Sequence, residues 1–126
     1  MDDTERRAQI RRFWEDTVRD HEAAHKIYHD DAILEFPQSG ERFEGVANFK
    51  EWRSQYPAEN VALEMRNLRG QGAVWVVEGA ISYDGGPWQP AVDILEFSGD
   101  KLARETIYVT EPWDAPEWRA AWRAAP

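Results

Sequence analysis

The fold is decided by residues 61–110, which read VALEMRNLRGQGAVWVVEGAISYDGGPWQPAVDILEFSGDKLARETIYVT. This stretch contains four strand-like runs, at 61–69, 73–83, 88–97 and 101–110. The segments between the runs, 70–72, 84–87 and 98–100, are rich in Gly, Asp and Ser and are typical of turns. Strands joined by turns this short must be antiparallel, because a parallel crossover needs a dozen or more residues. The sequence therefore predicts an antiparallel sheet.

Helical spacing dominates the residues that precede this sheet. Apolar side chains recur at steps of three and four from Ile10 to Val18, and a second helical stripe runs from the candidate N-cap Asp20 to Tyr28. A third short helix is predicted from Val46 onward, ended by Pro57. Residues 32–36 are predicted to be a short strand, and residues 41–44 are too few to classify. Helices ahead of an antiparallel sheet predict an α+β fold with the helices on one face.

The C-terminal residues 113–126 are unusually rich in tryptophan. Trp118 and Trp122 are spaced i, i+4 on a short helix that Pro116 could begin. We expect this tail to pack on its own fold or on a second subunit rather than to stay in water. No linker or repeat interrupts the chain, so residues 1–126 are predicted to form a single domain with 113–126 as its tail.

Composition and charge exclude several classes of partner. The chain has a formal net charge of −9 and only three lysines, which argues against nucleic acid and against an anionic membrane surface. It has no cysteine, so disulfides and thiolate metal sites are excluded. The N-terminus is charged from the start and no apolar run approaches the ~20 residues that span a bilayer. We therefore expect a cytoplasmic protein.

The run from Ala73 to Ile81 is apolar at both parities. A strand with one wet face should alternate, so the second face of this strand is expected to meet another apolar surface. A homodimer through the outer face of the sheet is the economical explanation.

The most informative acid is Asp93, which lies in the middle of a strand and shares a face with Leu95 and Phe97. If that face is exposed to solvent, Asp93 is an ordinary surface acid, but its apolar neighbours favour a face that lines a pocket. Burial there would raise the pKa of Asp93 and make it a proton donor or base near neutral pH.

The partner of Asp93 depends on the register of the last hairpin. A three-residue loop at 98–100 would place Asp93 opposite Glu105, on a face with Ile107 and Val109. A two-residue loop would place it opposite Thr106, with Arg104 and Tyr108 on the same face, since a one-residue slip exchanges the whole set. Ile107 and Val109 are better core residues than Arg104 and Tyr108, so the register that places Asp93 opposite Glu105 is favoured. The two carboxyl groups would then titrate as a coupled pair. Otherwise Glu105 pairs with an arginine on the surface.

Aromatic side chains supply the other pocket candidates, Tyr28, Trp14, Phe36 and Trp52, although the simpler interpretation of each one is a core residue. The three histidines, His21, His25 and His29, recur at steps of four on the predicted second helix, a spacing that could hold a metal. A half-buried helical edge explains them as well, so we predict no metal site. Nucleotide-binding loops and a serine-hydrolase elbow are also absent from the sequence.

Several local motifs carry a family resemblance over about residues 5–112. They are Asp20-His21-Glu22-Ala23, Tyr28-His29-Asp30-Asp31-Ala32, Glu35-Phe36-Pro37, Gly45 before a helix, and the four strands after it. In this order they resemble the SnoaL-like branch of the nuclear transport factor 2-like superfamily. The resemblance implies a cone-shaped α+β fold: a curved, mostly antiparallel sheet, three N-terminal helices packed on its concave face, and here a short C-terminal helical tail. Members commonly dimerise through the sheet.

The ketosteroid isomerases of this superfamily offer a comparison for the site. The stretch Val92–Phe97 is similar to theirs, so Asp93 matches the protonated aspartate of their oxyanion hole, and Tyr28 matches a pocket tyrosine. Their general-base aspartate corresponds here to Phe36, and their oxyanion tyrosine falls near Arg12 or Phe13. Steroid isomerisation in that manner is therefore not expected. Glu105 could supply a relocated base.

These observations together predict an apolar pocket that binds a small hydrophobic or polyketide-like molecule. Candidate catalytic residues are Asp93 as donor, Glu105 as base and Tyr28 as the orienting group. Candidate substrate-binding residues are Trp14, Phe36, Trp52, Leu95, Ile107 and Val109. The chemistry would be cofactor-free acid/base catalysis of the isomerase, cyclase or hydratase type. The alternatives are a non-catalytic ligand-binding domain and a dimerisation domain of the same fold.

Overall fold

The computed structural model describes residues 1–125. Its helices are α1 (Asp3–Arg19), α2 (His21–His25) and α3 (Val46–Ser54), followed near the C-terminus by a 3₁₀ helix (Glu117–Trp122). Its strands are β1 (Tyr28–Phe36), β2 (Glu41–Glu44), β3 (Val61–Gln71), β4 (Val74–Tyr83), β5 (Gln89–Ser98) and β6 (Lys101–Val109). Pro126, the last residue of the predicted tail, lies outside the described residues.

The six strands form one sheet in the order β2-β1-β6-β5-β4-β3. All neighbours are antiparallel except β1 and β6, which pair in parallel. This pairing inserts the chain's first strand beside its last one and joins the N-terminal half to the sheet. The predicted α+β fold, with a mostly antiparallel curved sheet and N-terminal helices on one face, is confirmed.

The core lies between the helices and one face of the sheet. Ile10, Phe13 and Trp14 of α1 pack towards strand residues such as Trp75 and Val77. Gly79 of β4 makes room for α1, because a Cβ there would lie 2.1 Å from the backbone oxygen of Glu64 and 3.1 Å from the Trp14 ring. The first part of the predicted stripe, from Ile10 to Trp14, is therefore the buried face of α1, whereas Val18 at its end is 38% exposed.

The second helix is shorter than predicted. Asp20 caps it as expected, its side chain accepting a hydrogen bond from the amide of Ala23, but α2 ends at His25. The chain then turns into β1, where the Ile27 oxygen accepts a hydrogen bond from the amide of Leu102 and Tyr28 pairs with Leu102. Pairing with β6 thus overrides the helical spacing, and Tyr28 lies at the start of a strand, not at the end of a helix.

The last hairpin follows neither predicted register. Ser98 pairs with Lys101 across a two-residue turn, but Asp93 pairs with Ile107 and Leu95 with Glu105. The difference comes from a β-bulge, because Phe97 pairs with Leu102 and Glu96 with Arg104, which leaves Ala103 as an extra residue in β6. Asp93 is therefore not directly opposite Glu105. The bulge nevertheless restores the preferred face, on which Asp93, Glu105 and Ile107 lie together.

The tail is helical near Trp118 and Trp122 as predicted, with Pro116 as its N-cap, but the helix is of the 3₁₀ type. Trp113, Trp118 and Trp122 are 77%, 74% and 78% exposed, so they do not pack on their own fold. None of the helices in residues 1–125 has the length and apolar character needed to cross a lipid bilayer.

Candidate functional site

A cavity of about 280 Å³ opens between the three helices and the inner face of the sheet. Five of the predicted substrate-binding residues line its walls, namely Trp14, Phe36, Trp52, Ile107 and Val109. Leu95 does not line it, because its side chain is fully buried in the core. The walls are mainly aromatic and aliphatic, as in most small-molecule sites.

Two carboxyl groups, those of Asp93 and Glu105, also line this cavity. They stand on neighbouring strands β5 and β6, two positions apart along the ladder with the pair Ile94–Thr106 between them, and both point to the inner face. Only 7% of Asp93 and 2% of Glu105 is exposed. The structure therefore brings together Asp93 and Glu105, the two acids that the preferred register of the sequence analysis placed on one face of the hairpin.

The environment of Asp93 favours its protonated form. Burial raises its pKa well above the ordinary value, and the charge of Glu105 and a shared hydrogen bond with that carboxyl add to the effect. Arg53 and Trp14 act in the opposite direction more weakly. Within residues 1–125, Asp93 Oδ1 is buried and receives no hydrogen bond, which would be costly for a charged carboxylate. Burial and the neighbouring acid thus both favour the protonated carboxylic acid at Asp93.

Glu105 is held by two polar neighbours. Tyr28 donates its hydroxyl hydrogen to Glu105 Oε1 in a short hydrogen bond, and Arg53 Nη2 lies 3.8 Å from the same oxygen. Burial, followed by the negative charge of Glu105, raises the pKa of Tyr28 well above its ordinary value, so its hydroxyl remains a donor. Tyr28 does not itself line the cavity and contacts the site through Glu105. The single guanidinium of Arg53 thus lies near both Glu105 and Asp93, and it can balance the negative charge of only one of them.

The predicted row of three histidines does not form. His21 and His25 lie on α2 with ring centroids 6.5 Å apart, whereas His29 lies on β1, with Nε2 2.6 Å from the Ser98 oxygen. Among residues 1–125, no group of three or more His, Cys, Asp or Glu side chains is arranged to hold a metal ion.

Comparison with known proteins gives the chain a family. Neither a protein-family model nor a curated protein sequence matches it. A solved structure from Burkholderia xenovorans, described as a nuclear transport factor 2-like protein of unknown function, is 38% identical, with 95% of this chain and 94% of that chain covered and a TM-score of 0.86. The chain belongs to the nuclear transport factor 2-like family.

Two further structures share the fold of this nuclear transport factor 2-like protein. One, from Kribbella flavida, has been proposed to be a ketosteroid isomerase; it is 23% identical, over 95% of this chain and 88% of that one, with a TM-score of 0.84. The other is nuclear transport factor 2 from Cryptosporidium parvum, 13% identical over 82% and 90% of the two chains, with a TM-score of 0.71. The superfamily inferred from the sequence motifs is thereby confirmed.

Sequence reasoning missed Arg53 and Glu59, two charged residues that line the cavity of this nuclear transport factor 2-like protein, and only Arg53 contacts the acid pair. Its guanidinium lies at the cavity and over the ring of Trp52, with 5.2 Å to the ring centroid. The signal was present, because position 53 is four residues after Phe49 and seven after Val46, on the apolar stripe of α3. A lone arginine on a core-facing stripe needs an acid to face, and the acid is Glu105.

Proposed function

We propose that this protein binds a small, uncharged, largely apolar molecule and acts on it by cofactor-free acid/base catalysis. The observation that carries the proposal is the buried pair Asp93 and Glu105 at an apolar cavity, where Arg53 balances only one negative charge. Such a pair holds one proton and one lone pair ready at neighbouring positions, which is what acid/base catalysis requires.

The roles follow from the environment of each group. Asp93, protonated, donates a hydrogen bond or a proton to an oxygen of the substrate. Glu105 accepts a proton from carbon or from water, and Tyr28 orients its carboxylate through their hydrogen bond. Glu105 takes one proton from the substrate and Asp93 delivers one to it, so the total charge of the pair is unchanged. One proton transfer from Glu105 to Asp93 then restores the starting state of both acids. Isomerisation, cyclisation and hydration all fit this scheme.

The cavity also supports a class of ligand. Its volume lies just below the ~300–1,000 Å³ typical of pockets for drug-sized molecules, so a compact molecule of one or two rings fits best. The aromatic walls at Trp14, Phe36 and Trp52 favour an apolar or aromatic skeleton, such as a polyketide fragment. With Asp93 neutral and Arg53 opposite Glu105, the acid pair and its arginine together carry no net charge for an ionic ligand to balance.

Proton exchange at carbon tests the proposal without knowledge of the natural substrate. The two-ring ketone 2-tetralone takes up deuterium next to its carbonyl group in D₂O, and NMR follows the rate. We expect the wild type to accelerate this exchange over buffer and Glu105→Gln to lose about 100-fold, a typical contribution of one general base. Asp93→Asn should lose at least about tenfold, because an amide can donate a hydrogen bond but no proton. Glu96→Gln, on the outer face of β5, is the matched control.

A binding assay separates the catalytic proposal from its alternatives. The neutral fluorophore 2-naphthol is small enough to enter the cavity and has a hydroxyl group for the acid pair. Binding without any exchange above the buffer rate would favour a ligand-binding domain. Neither binding nor exchange would favour a dimerisation domain, and the catalytic proposal would then be abandoned.

We also propose that two copies associate through the outer face of the sheet. Val76, Ile94 and Thr106 form a cross-strand row on the face that points away from the helices. Tyr108 on the same face is 41% exposed, and the three tail tryptophans are about three-quarters exposed. A second subunit would remove this apolar surface from water. A cytoplasmic location and the single-domain division of residues 1–126 stay predictions.

A further inference from the structure

His25 lines the same cavity as the acid pair, and its hydrogen bonds fix the state of its ring. Its side chain is 5% exposed, and its Nδ1 lies 2.5 Å from the backbone oxygen of His21. Its Nε2 lies 3.2 Å from Nη1 of Arg53. A carbonyl oxygen only accepts, so Nδ1 must carry the hydrogen, and a guanidinium only donates, so Nε2 must be the bare nitrogen. The geometry requires a neutral imidazole with its hydrogen on Nδ1.

Arg53 connects this ring to the acid pair. The Nη1 atom that donates to His25 also lies 3.3 Å from the Tyr28 hydroxyl oxygen, to which it donates a second hydrogen bond. Tyr28 in turn donates to Glu105, and Nη2 of Arg53 faces the same carboxylate oxygen. A continuous chain of donors and acceptors therefore runs from the His21 backbone to Glu105. His25 is its acceptor at the end remote from the cavity acids.

We propose that His25 is a positioning residue, whose neutral ring holds Arg53 against Tyr28 and Glu105 and releases it when the ring takes up a proton. The site would thus be assembled at neutral pH and disassembled on acidification by a group that need not touch the ligand's reacting atoms. The inference rests on the proposed function only for its activity readout, since the hydrogen-bond network can be measured in the ligand-free protein.

The charges around His25 support this assignment. Arg53 and Lys50 face it from α3, and His21 belongs to its own helix, while the uncharged ring of Tyr28 packs 6.1 Å away from β1. Burial, then the charge of Arg53 and more weakly those of Lys50 and His21, lower the pKa of His25 below 6.5, against the hydrogen bond to the His21 backbone. The neutral form therefore persists into mildly acidic solution.

Protonation would reverse the contact between His25 and Arg53. A hydrogen on Nε2 would point at the N–H group of Arg53, so two donors would face each other. The imidazolium of His25 and the guanidinium of Arg53 would also repel each other as like charges. Arg53 would move away, and Glu105 would lose the guanidinium that balances its charge. The arrangement in which Arg53 and Tyr28 together hold the Glu105 carboxylate would then be lost.

Two substitutions of His25 separate a positioning role from a role in packing. His25→Gln keeps an oxygen that can accept from Arg53 but cannot titrate, whereas His25→Leu keeps the bulk and removes the acceptor. His29→Gln is the matched control, because His29 does not line the cavity and contacts the Ser98 oxygen instead. The probes are 2-naphthol for binding and 2-tetralone for exchange, each measured from pH 5 to pH 8.

We expect His25→Gln to keep wild-type affinity at pH 7 within about threefold and to lose the weakening that the wild type shows on acidification. His25→Leu should bind 2-naphthol about tenfold more weakly throughout, the effect of one charge-assisted hydrogen bond. Equal pH profiles for the wild type and His25→Gln would overturn the proposal.

Nitrogen NMR of the ligand-free wild type gives a readout that needs neither a variant nor activity. We expect the His25 ring at pH 7 to show a protonated Nδ1 and a bare Nε2, and the Arg53 N–H signals to sharpen or shift as His25 titrates. A ring protonated on Nε2, or Arg53 signals that ignore the titration, would refute the proposal even if exchange activity is found. A positive result with no exchange activity would leave the network standing and reject the catalytic function alone.

Discussion

Removal of the guanidinium of Arg53 should destabilise the protein in a pH-dependent way. Its Nη2 lies 3.8 Å from Glu105 Oε1, and Coulomb's law with an effective dielectric constant of about 20 gives about 4 kcal/mol for unit charges at that separation. The side chains are only 20% and 2% exposed, so solvent screens the pair little. Arg53→Met keeps the apolar stem and leaves a buried carboxylate without its cation. We expect a loss of about 4 kcal/mol in the free energy of unfolding at pH 7.

Acid should return most of this loss. In the variant, protonation of the carboxylate that has lost its cation removes the unpaired charge. For each unit by which the pH falls, the free energy of this protonation becomes more favourable by about 1.4 kcal/mol. From pH 7 to pH 5 the deficit should therefore shrink by about 3 kcal/mol. Urea unfolding of wild type and variant at both pH values, at one protein concentration, measures the two differences.

A control on the same helix makes the result specific. Lys50→Met removes an exposed cation of α3 that lies 3.5 Å from Glu22, and it should cost less than about 1 kcal/mol at either pH. Electrostatic compensation of Glu105 by Arg53 would be the wrong account if Arg53→Met lost less than about 1 kcal/mol at pH 7, or lost as much at pH 5 as at pH 7.

Three other substitutions test the packing, the acid pair and the outer face. Gly79→Ala would place a Cβ 2.1 Å from the Glu64 backbone oxygen, so we expect it to cost about 1–3 kcal/mol or more in urea unfolding; a loss below about 0.5 kcal/mol would contradict the close approach. Asp93 keeps its proton to higher pH when folded than when unfolded, so the contribution of this residue to wild-type stability should fall as pH rises above about 4. Asp93→Asn removes this loss, and its stability relative to the wild type should rise from pH 5 to pH 8; parallel curves would refute a raised pKa. Ile94→Glu should convert a dimer into a 14.6 kDa species in sedimentation equilibrium with unchanged circular dichroism, and an unchanged mass would place any interface elsewhere.

Local patterns were sufficient for the fold wherever the partner of a segment lay nearby in the chain. The four C-terminal strands are joined by turns of two to five residues, and their bounds in the structure differ from the predicted ones by at most two residues. The start of β1 was missed because its partner β6 lies more than seventy residues away. Tyr28 fits a helical stripe locally, and only its pairing with Leu102 makes it a strand residue.

The site was half predictable for a similar reason. Asp93 stands out because a charged residue within an apolar strand is costly to bury, a property of the sequence alone. Arg53 and His25 both lie on helices, where exposed polar side chains are common. Arg53 is marked only by its place on the apolar stripe of α3, and His25 carries no comparable signal. Their role depends on three elements meeting at Tyr28, and that meeting is a product of the tertiary fold.

The position of Glu105 shows why such a costly acid remains buried. A hairpin with the same two-residue turn and no bulge would turn Arg104 and Tyr108 inward and leave Ile107 in water. The extra residue Ala103 reverses this choice, so the packing of the partly buried Ile107 against the core comes only with the burial of Glu105. That packing is worth less than the ~1.5–3 kcal/mol of a fully buried side chain of this size.

The bulge thus fixes the buried position of Glu105 because it places Ile107 on the inner face. Arg53 and Tyr28 offset the cost of burying the charge of Glu105. Apolar residues in place of the two acids would spare the chain both desolvation penalties, since buried ion pairs are often less stable than well-packed hydrophobic ones. A cavity that retains Asp93 and Glu105 at this expense is better explained by chemistry at the pair than by the stability of the fold.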